Sequence, residues 1–345
     1  MKRFNIGVIG YGWAAGAHIN AINATPSAQV AAICSTRDLD PMELRLRHGA
    51  QVTLYRELDS MLADASLNVI SVCSYPSDHA KHVIAAARAG KHLIIEKPLC
   101  LNPQDLPAIR QAVKQAGVKT CVCFELRYSS QFKTTKSAID RGLLGKIHYG
   151  EVDYYHGIGP WYGQFRWNVR RDMAGSSLLS AGCHALDALL FCMGSDVVSV
   201  SSLSTHSTNP DFAKYEYPST SVTILKFRDG SVGKVASSID CLQPYYFHTH
   251  LVGSKGSLLD NKIYSTELPG LDKNRWSELP MKLCDSGDVT DHPYQSQFEA
   301  FFSALEAGVD MPLTCLADAA RTHEVIFAAD RAAELGQPIE PRALQ

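Results

Sequence analysis

Residues 4–25 read FNIGVIGYGWAAGAHINAINAT. The stretch opens on an apolar run, FNIGVI, turns at Gly10-Tyr11-Gly12, and continues as WAAGAHINAINA, small and apolar residues at helical spacing. A glycine turn between a strand and a helix, at the first such junction of a chain, is the setting of a dinucleotide-binding fingerprint, here in the form Gly-x-Gly-x-x-Ala. Gly10 permits the tight turn, Gly12 lets a pyrophosphate approach the backbone, and Ala15 keeps the helix close to the strand. The free N–H groups and the dipole at the helix N-terminus then receive the anion. Two basic residues ahead of an apolar stretch also suit a secretory leader. Gly7, Gly10 and Gly12 break that stretch, however, and the strand–turn–helix reading accounts for the glycine turn.

Outward from this junction, strand and helix patterns alternate. QVAAICS, QVTLY, NVISVCS, HLIIEKP and KTCVCFE read as strands, separated by PMELRLRHGA, LDSMLADA, HAKHVIAAARAG and LPAIRQAVKQAG as helices. Strands apolar on both faces and separated by helices indicate a parallel sheet covered on both sides, the doubly wound Rossmann class. Beyond residue 126 the texture changes. A helix, SSQFKTTKSAIDRGLLG, leads into IHYGEVDYYHG, and VVSVSSLST, STSVTILKF, SVGKVASSI, YYFHTHLVG and GSLLDN follow without a helix between them. RDGSV, residues 228–232, supplies an Asp-Gly hairpin turn. The expected architecture is α/β plus α+β: a Rossmann domain over 1–125, then an α+β domain over 126–345 built on an open, mostly antiparallel sheet. The final helices, about 313–336, are expected to pack back on the first domain.

Composition excludes several classes. With 33 basic and 35 acidic residues the net charge is -2, and no run of five basic residues occurs, so neither a nucleic acid nor a membrane surface is an expected partner. No uninterrupted apolar stretch reaches the roughly 18 residues that suggest a membrane span. The ten cysteines are scattered, without a CxxC, as expected for small buried hydrophobes in a reducing cytoplasm. No Cys/His pairs have zinc-finger spacing, and no metal is expected.

Two further stretches carry chemistry. At the end of the second strand stand Ser35-Thr36-Arg37, with no carboxylate before Asp38. A free ribose diol calls for an acid there, whereas hydroxyls and a guanidinium suit a 2′-phosphate, which tilts the cofactor from NAD(H) towards NADP(H). Glu96-Lys97-Pro98 ends the strongly apolar strand HLIIEKP. Ligands of doubly wound sheets bind outside the carboxyl ends of the strands, so Lys97 is placed to bond a hydroxyl and exchange its proton.

The combination of the glycine fingerprint, Pro76-Ser77-Asp78-His79, Ala89-Gly90-Lys91-His92 leading to Glu96-Lys97-Pro98, Arg127 and Gly142-Leu143-Leu144-Gly145 resembles the Gfo/Idh/MocA oxidoreductases along nearly the whole chain. The resemblance implies a nicotinamide cofactor and sugar- or polyol-like substrates. It also implies a homodimer or homotetramer formed through the C-terminal sheet. The expected cofactor contacts are Gly10, Gly12, Trp13, Ala15, Ser35, Thr36, Arg37, Ser74, Pro76, His79 and Glu96. The resemblance assigns the reacting hydroxyl to Lys97, and the substrate pocket to Arg127 and His156.

Residues 178–187, LLSAGCHALD, align with the family's D-x-G-x-H-x-x-D segment, with Ser180 in the place of the first acid. On a regular helix Ser180, His184 and Asp187 share one stripe. Asp187 is then expected to orient His184, leaving its other nitrogen for the substrate, while Ser180 orients a hydroxyl but carries no charge. Residues 154–167, YYHGIGPWYGQFRW, are dense in aromatics suited to sugar C–H faces, with Trp161 and Trp167 the foremost candidates. The strand Tyr245–His250 alternates faces and is expected to be mainly sheet core or subunit interface. These features favour a dehydrogenase acting on a secondary alcohol of a sugar, sugar derivative or inositol. A redox-neutral glycosidase working through a transient keto-sugar is the alternative, and a nucleotide-bound sensor the third reading.

Overall fold

The computed structural model describes residues 4–288 and 291–341. They form two compact units, Met1–Glu125 with Asp288–Ala320, and Leu126–Gly287 with Arg321–Gln345. The stretch 126–345 is therefore not continuous, since Asp288–Ala320 joins the first unit. The extreme ends of the expected domain ranges, 1–3 and 342–345, lie outside the described residues.

The first unit is built on β1 (Phe4–Ile9), β2 (Ala28–Cys34), β3 (Thr53–Tyr55), β4 (Val69–Val72), β5 (His92–Ile95) and β6 (Thr120–Val122). Their order is β3-β2-β1-β4-β5-β6, and every pair is parallel. The crossovers carry α1 (Trp13–Ala24), α2 (Pro41–His48), α3 (Leu58–Leu62), α4 (His79–Arg88) and α5 (Asp105–Ala116). All four residues of β4 are buried, as a strand covered on both faces requires. The order in which successive strands are added reverses between β1 and β4, so the loops after these strands frame the crevice where such sheets bind ligands.

The second unit holds α6 (Ser130–Asp140), β7 (Ile147–Tyr155), α7 (Phe165–Asn168), α8 (Arg171–Ala174), α9 (Cys183–Met193), β8 (Val197–Thr205), β9 (Thr220–Phe227), β10 (Val232–Ser238), β11 (Tyr246–Gly253), β12 (Gly256–Leu259), β13 (Lys262–Ser265) and β14 (Ser277–Glu278). The sheet order is β14-β13-β12-β11-β7-β10-β9-β8. All its pairs are antiparallel except β7 with β10, which are parallel because a long connection through α9 and two further strands separates them. The Asp-Gly turn joins β9 to β10, with Gly230 at φ +90°. α9 lies over β7 and β10, where glycines make room. A Cβ on Gly150 would sit 2.5 Å from Met193 Sδ, and one on Gly233 would sit 3.0 Å from Leu189 Cδ2. The odd-numbered residues of β7 consequently face the opposite side of the sheet. The stretch Arg171–Met193 is, among the described residues, the one helix long and apolar enough by composition to cross a membrane, and 72% of its apolar window is buried within the protein.

Two helices close the chain, α10 (Tyr294–Ala307) and α11 (Leu316–Leu335). α10 completes the first unit. Phe302 stacks on Phe4 with centroids 5.7 Å apart, and Phe298 meets His18 of α1 edge-on at 5.0 Å. Phe298, Phe301 and Phe302 are fully buried.

Candidate active-site residues

The glycine turn of the first unit has the shape an anion needs. Gly10 adopts φ +94°, and a Cβ there would meet Cys73 O at 2.5 Å, so only glycine fits. Gly12 is the N-cap of α1 without a side-chain cap, and a Cβ on it would meet nothing within 4 Å. No side chain therefore caps the N-terminus of α1, and the space beside Gly12 is open, which suits a pyrophosphate. Trp13 is 56% exposed there, and Ala15 is fully buried against the sheet.

At the end of β2, Ser35 is buried and its Oγ accepts from Arg37 N at 3.2 Å, while Thr36 and Arg37 are exposed. Arg37 Nη1 donates to Tyr11 O at 2.6 Å, which folds the guanidinium back over the glycine turn. Arg56, which sequence reasoning missed, lies just beyond β3. It donates to Arg37 O and, at 3.1 Å, to Asp38 Oδ1. Two guanidinium groups thus stand at the carboxyl ends of neighbouring strands.

Lys97 is half-buried at the end of β5. Glu96, 5% exposed, turns inward, and its Oε2 accepts from Lys97 N at 2.9 Å. Its Oε1 receives His18 Nε2 at 2.9 Å and Tyr294 OH at 2.6 Å. The other His18 nitrogen lies 2.8 Å from Ser71 Oγ and 3.2 Å from Cys73 Sγ. Burial alone would lower the His18 pKa, but Cys73 and the Glu96 carboxylate outweigh it and raise it to about 10. Burial likewise raises Glu96, but the His18 hydrogen bond and charge, with Lys97, bring it down to about 2. The result is a buried imidazolium–carboxylate pair directly behind Lys97. Glu96, expected as a cofactor contact, is thus the counter-ion of His18. A second pair lies at the end of β6, where His292 Nδ1 is 3.2 Å from the fully buried Glu125. His18, Glu125, His292 and Tyr294 escaped the sequence reading because their partners are distant in the chain and no local spacing joins them.

His79 is 1% exposed, and its ring nitrogens lie 2.6 Å from Pro98 O and 3.0 Å from Ser74 O. It pins the Lys97–Pro98 turn to the loop after β4, and burial lowers its pKa. Ser74 Oγ is engaged by His82 Nδ1 at 2.8 Å, and Pro76 is buried.

In the second unit, Leu178–Gly182 form a single π turn that leads into α9. A π turn holds an extra residue, so residues five apart stack in place of those four apart. The expected common stripe assumes a regular helix, whereas Ser180 lies within this π turn and His184 in the α-helix that follows it. His184 is 6% exposed in the first turn of α9. Asp187, 1% exposed, receives Arg127 Nε and Nη2 at 2.7 Å each and Thr322 Oγ1 at 2.8 Å. Asp187 is therefore not dedicated to His184. Arg127, expected in the substrate pocket, spends two donors on it and lies 5.2 Å over the Phe191 ring.

His156 is 6% exposed between two tyrosines, with Tyr154 OH at 2.9 Å from Nδ1 and Tyr162 OH at 2.8 Å from Nε2. Both nitrogens thus face phenols, and the half-buried Tyr162, absent from the sequence reading, is the more exposed end of this chain. Trp161 is 56% exposed, donates to Gly157 O at 3.0 Å and covers Gly159, while Trp167 is half-buried.

Residues 4–124 match the oxidoreductase family with an NAD-binding Rossmann fold, GFO_IDH_MocA, and residues 132–259 match the GFO/IDH/MocA C-terminal domain. The chain is 27% identical over 261 residues to myo-inositol 2-dehydrogenase of Thermotoga maritima, covering 76% of each. It is 24% identical over 289 residues to D-xylose 1-dehydrogenase (NADP(+)) 2 of Haloferax volcanii, covering 84% of this chain and 85% of that one. In fold it is similar to scyllo-inositol dehydrogenase of Lactobacillus casei with bound NAD(H) and scyllo-inositol, with a TM-score of 0.80 at 18% identity over 99% of this chain and 100% of that one. The chain belongs to the GFO/IDH/MocA family of NAD-binding oxidoreductases.

Proposed function

We propose that the protein oxidises or reduces a secondary alcohol or ketone of an inositol, a sugar or a sugar derivative, with Lys97 and His184 as the proton-handling groups. The observation that carries the reading is the placing of Lys97 at the carboxyl end of β5, half-buried and braced by the His18–Glu96 pair. The open N-terminus of α1 receives the pyrophosphate, and the nicotinamide, when bound, accepts or supplies the hydride. Lys97 bonds the reacting hydroxyl and takes its proton, or returns it in the reverse direction. His184 offers an imidazole for the same proton traffic, in a helix turn anchored by the Arg127–Asp187 fork. Trp161 and Tyr162 supply an exposed ring face and a phenol suited to a polyol.

Arg37 and Arg56 favour NADP(H), because a 2′-phosphate calls for paired guanidinium donors. Replacing Arg37 by Asp is expected to shift the preference towards NAD(H). The central test follows absorbance at about 340 nm, where reduced nicotinamide absorbs, with inositols and aldoses as substrates and either cofactor. Lys97→Ala and His184→Ala are each expected to lower turnover by about 10²–10⁴-fold. Near-normal turnover in both would sink the assignment. Release of an aglycone from glycosides with no net change in absorbance would establish the redox-neutral alternative instead.

A further inference from the structure

The strand Tyr245–His250 finds no use in the oxidoreductase chemistry. In β11 its residues part by face: Phe247 and Thr249 are buried towards α6, against Phe132 and Gln131, while Tyr246, His248 and His250 stand half-exposed or exposed on the other side. His250 pairs in register with Glu151 of β7, and His248 with Asp153. The ligand atoms of Glu151, His248 and His250 all lie within 4.8 Å of one another. We infer that these three side chains form a binding site for a divalent transition-metal ion of the zinc type.

The donor set is two imidazoles and one carboxylate, a combination used by open zinc sites with three protein ligands and water in the fourth position. Imidazoles select zinc, copper or nickel over magnesium and calcium. Around a tetrahedral ion with bonds of about 2.0–2.2 Å, ligand atoms sit roughly 3.3–3.6 Å apart. His248 Nε2 and Glu151 Oε1 are already 3.9 Å apart, so small side-chain rotations close the set. The surrounding groups orient the ligands. Asp260 Oδ1 lies 3.5 Å from His248 Nδ1 and Tyr246 OH 3.1 Å from it, which directs Nε2 towards Glu151. Tyr149 OH donates to Glu151 Oε2 at 2.8 Å and leaves Oε1 for the ion. Carboxylates behind ligating histidines fix the tautomer in this way.

A tethered cation now holds the place. Lys234 Nζ is 2.6 Å from Glu151 Oε1 and 2.7 Å from Asp153 Oδ2. An entering ion takes Glu151, while the flexible ammonium keeps Asp153. Among the described residues one other cluster has metal-ligating chemistry, His18, Glu96 and Cys123, but its His–Glu pair is already joined by a hydrogen bond at 2.9 Å in a fully buried setting.

The test is a calorimetric titration of Zn²⁺ into the full chain after chelator treatment. One saturable site per chain is expected. His248→Ala and His250→Ala should each abolish it, with His250→Asn as the conservative check and circular dichroism to verify folding. Asp260→Asn should weaken it about 10–100-fold. Lys234→Met removes the competing ammonium and should tighten it. Co²⁺ in the same site should give tetrahedral visible bands without a thiolate charge-transfer band, which separates this site from the ten cysteines. Absence of a saturable site, survival of the site in the histidine variants, loss of binding in Lys234→Met, or a thiolate band would each overturn the inference.

Discussion

His18 and Glu96 show how one residue pair links fold and chemistry. Neither is exposed to solvent beyond a few per cent, and each is the other's charge partner at 2.9 Å. Removing one partner leaves an uncompensated buried charge, so His18→Asn should cost about 3–5 kcal/mol, read by chemical denaturation. The sign of the pH dependence follows from the two shifts. Glu96, lowered from 4.5 to about 2, contributes stability above pH 4.5 that is lost as pH falls through 2. His18, raised from 6.5 to about 10, contributes stability present below pH 6.5 and lost as pH rises through 10. The difference between wild type and His18→Asn should therefore be largest between pH 4.5 and 6.5 and shrink towards pH 10. A pH-independent difference would mean that the pair is not ionised.

At the scale of elements, the π turn before α9 decides what LLSAGCHALD does. The sequence shows the spacing of Ser180, His184 and Asp187, but spacing becomes geometry only when the helix type is known. Tertiary packing sets that type here: Gly182 lies so close to β10 that a Cβ would sit 2.5 Å from Ser237 Cβ. Gly182→Ala should overpack this contact and cost about 1–3 kcal/mol. Ser237→Gly, which removes the facing Cβ, should recover part of that loss in the double variant. If the two changes were merely additive, the contact would not be what holds the turn.

At the scale of the whole molecule, the Rossmann unit draws on two distant parts of the chain. Strand and helix alternation makes the six-stranded sheet legible from the first residues, yet the sheet is not complete by residue 125. α10 supplies Phe298, Phe301 and Phe302 to its core, and Gln297 Nε2 donates to Val122 O at 2.9 Å. A fragment of residues 1–125 should expose that apolar surface and fail to unfold cooperatively on heating. Joining residues 288–320 through a flexible linker should restore a cooperative transition. Cooperative unfolding of 1–125 alone would show that α10 is dispensable.

The residues legible in advance are those whose role is written locally. Gly10 and Gly12 occupy backbone positions where a side chain would collide or would obstruct an anion. Lys97 follows a run of buried strand residues, and Asp229-Gly230 turns one alternating strand into the next. These follow from backbone sterics and hydrophobic periodicity, which act over a few residues. The partnership of His18 with Glu96 and Tyr294, of Arg127 with Asp187 and Thr322, and of Glu151 with His248 and His250 spans tens to hundreds of positions. Only the tertiary structure decided these, because charges and hydrogen bonds are satisfied by neighbours in space, whatever their separation along the chain.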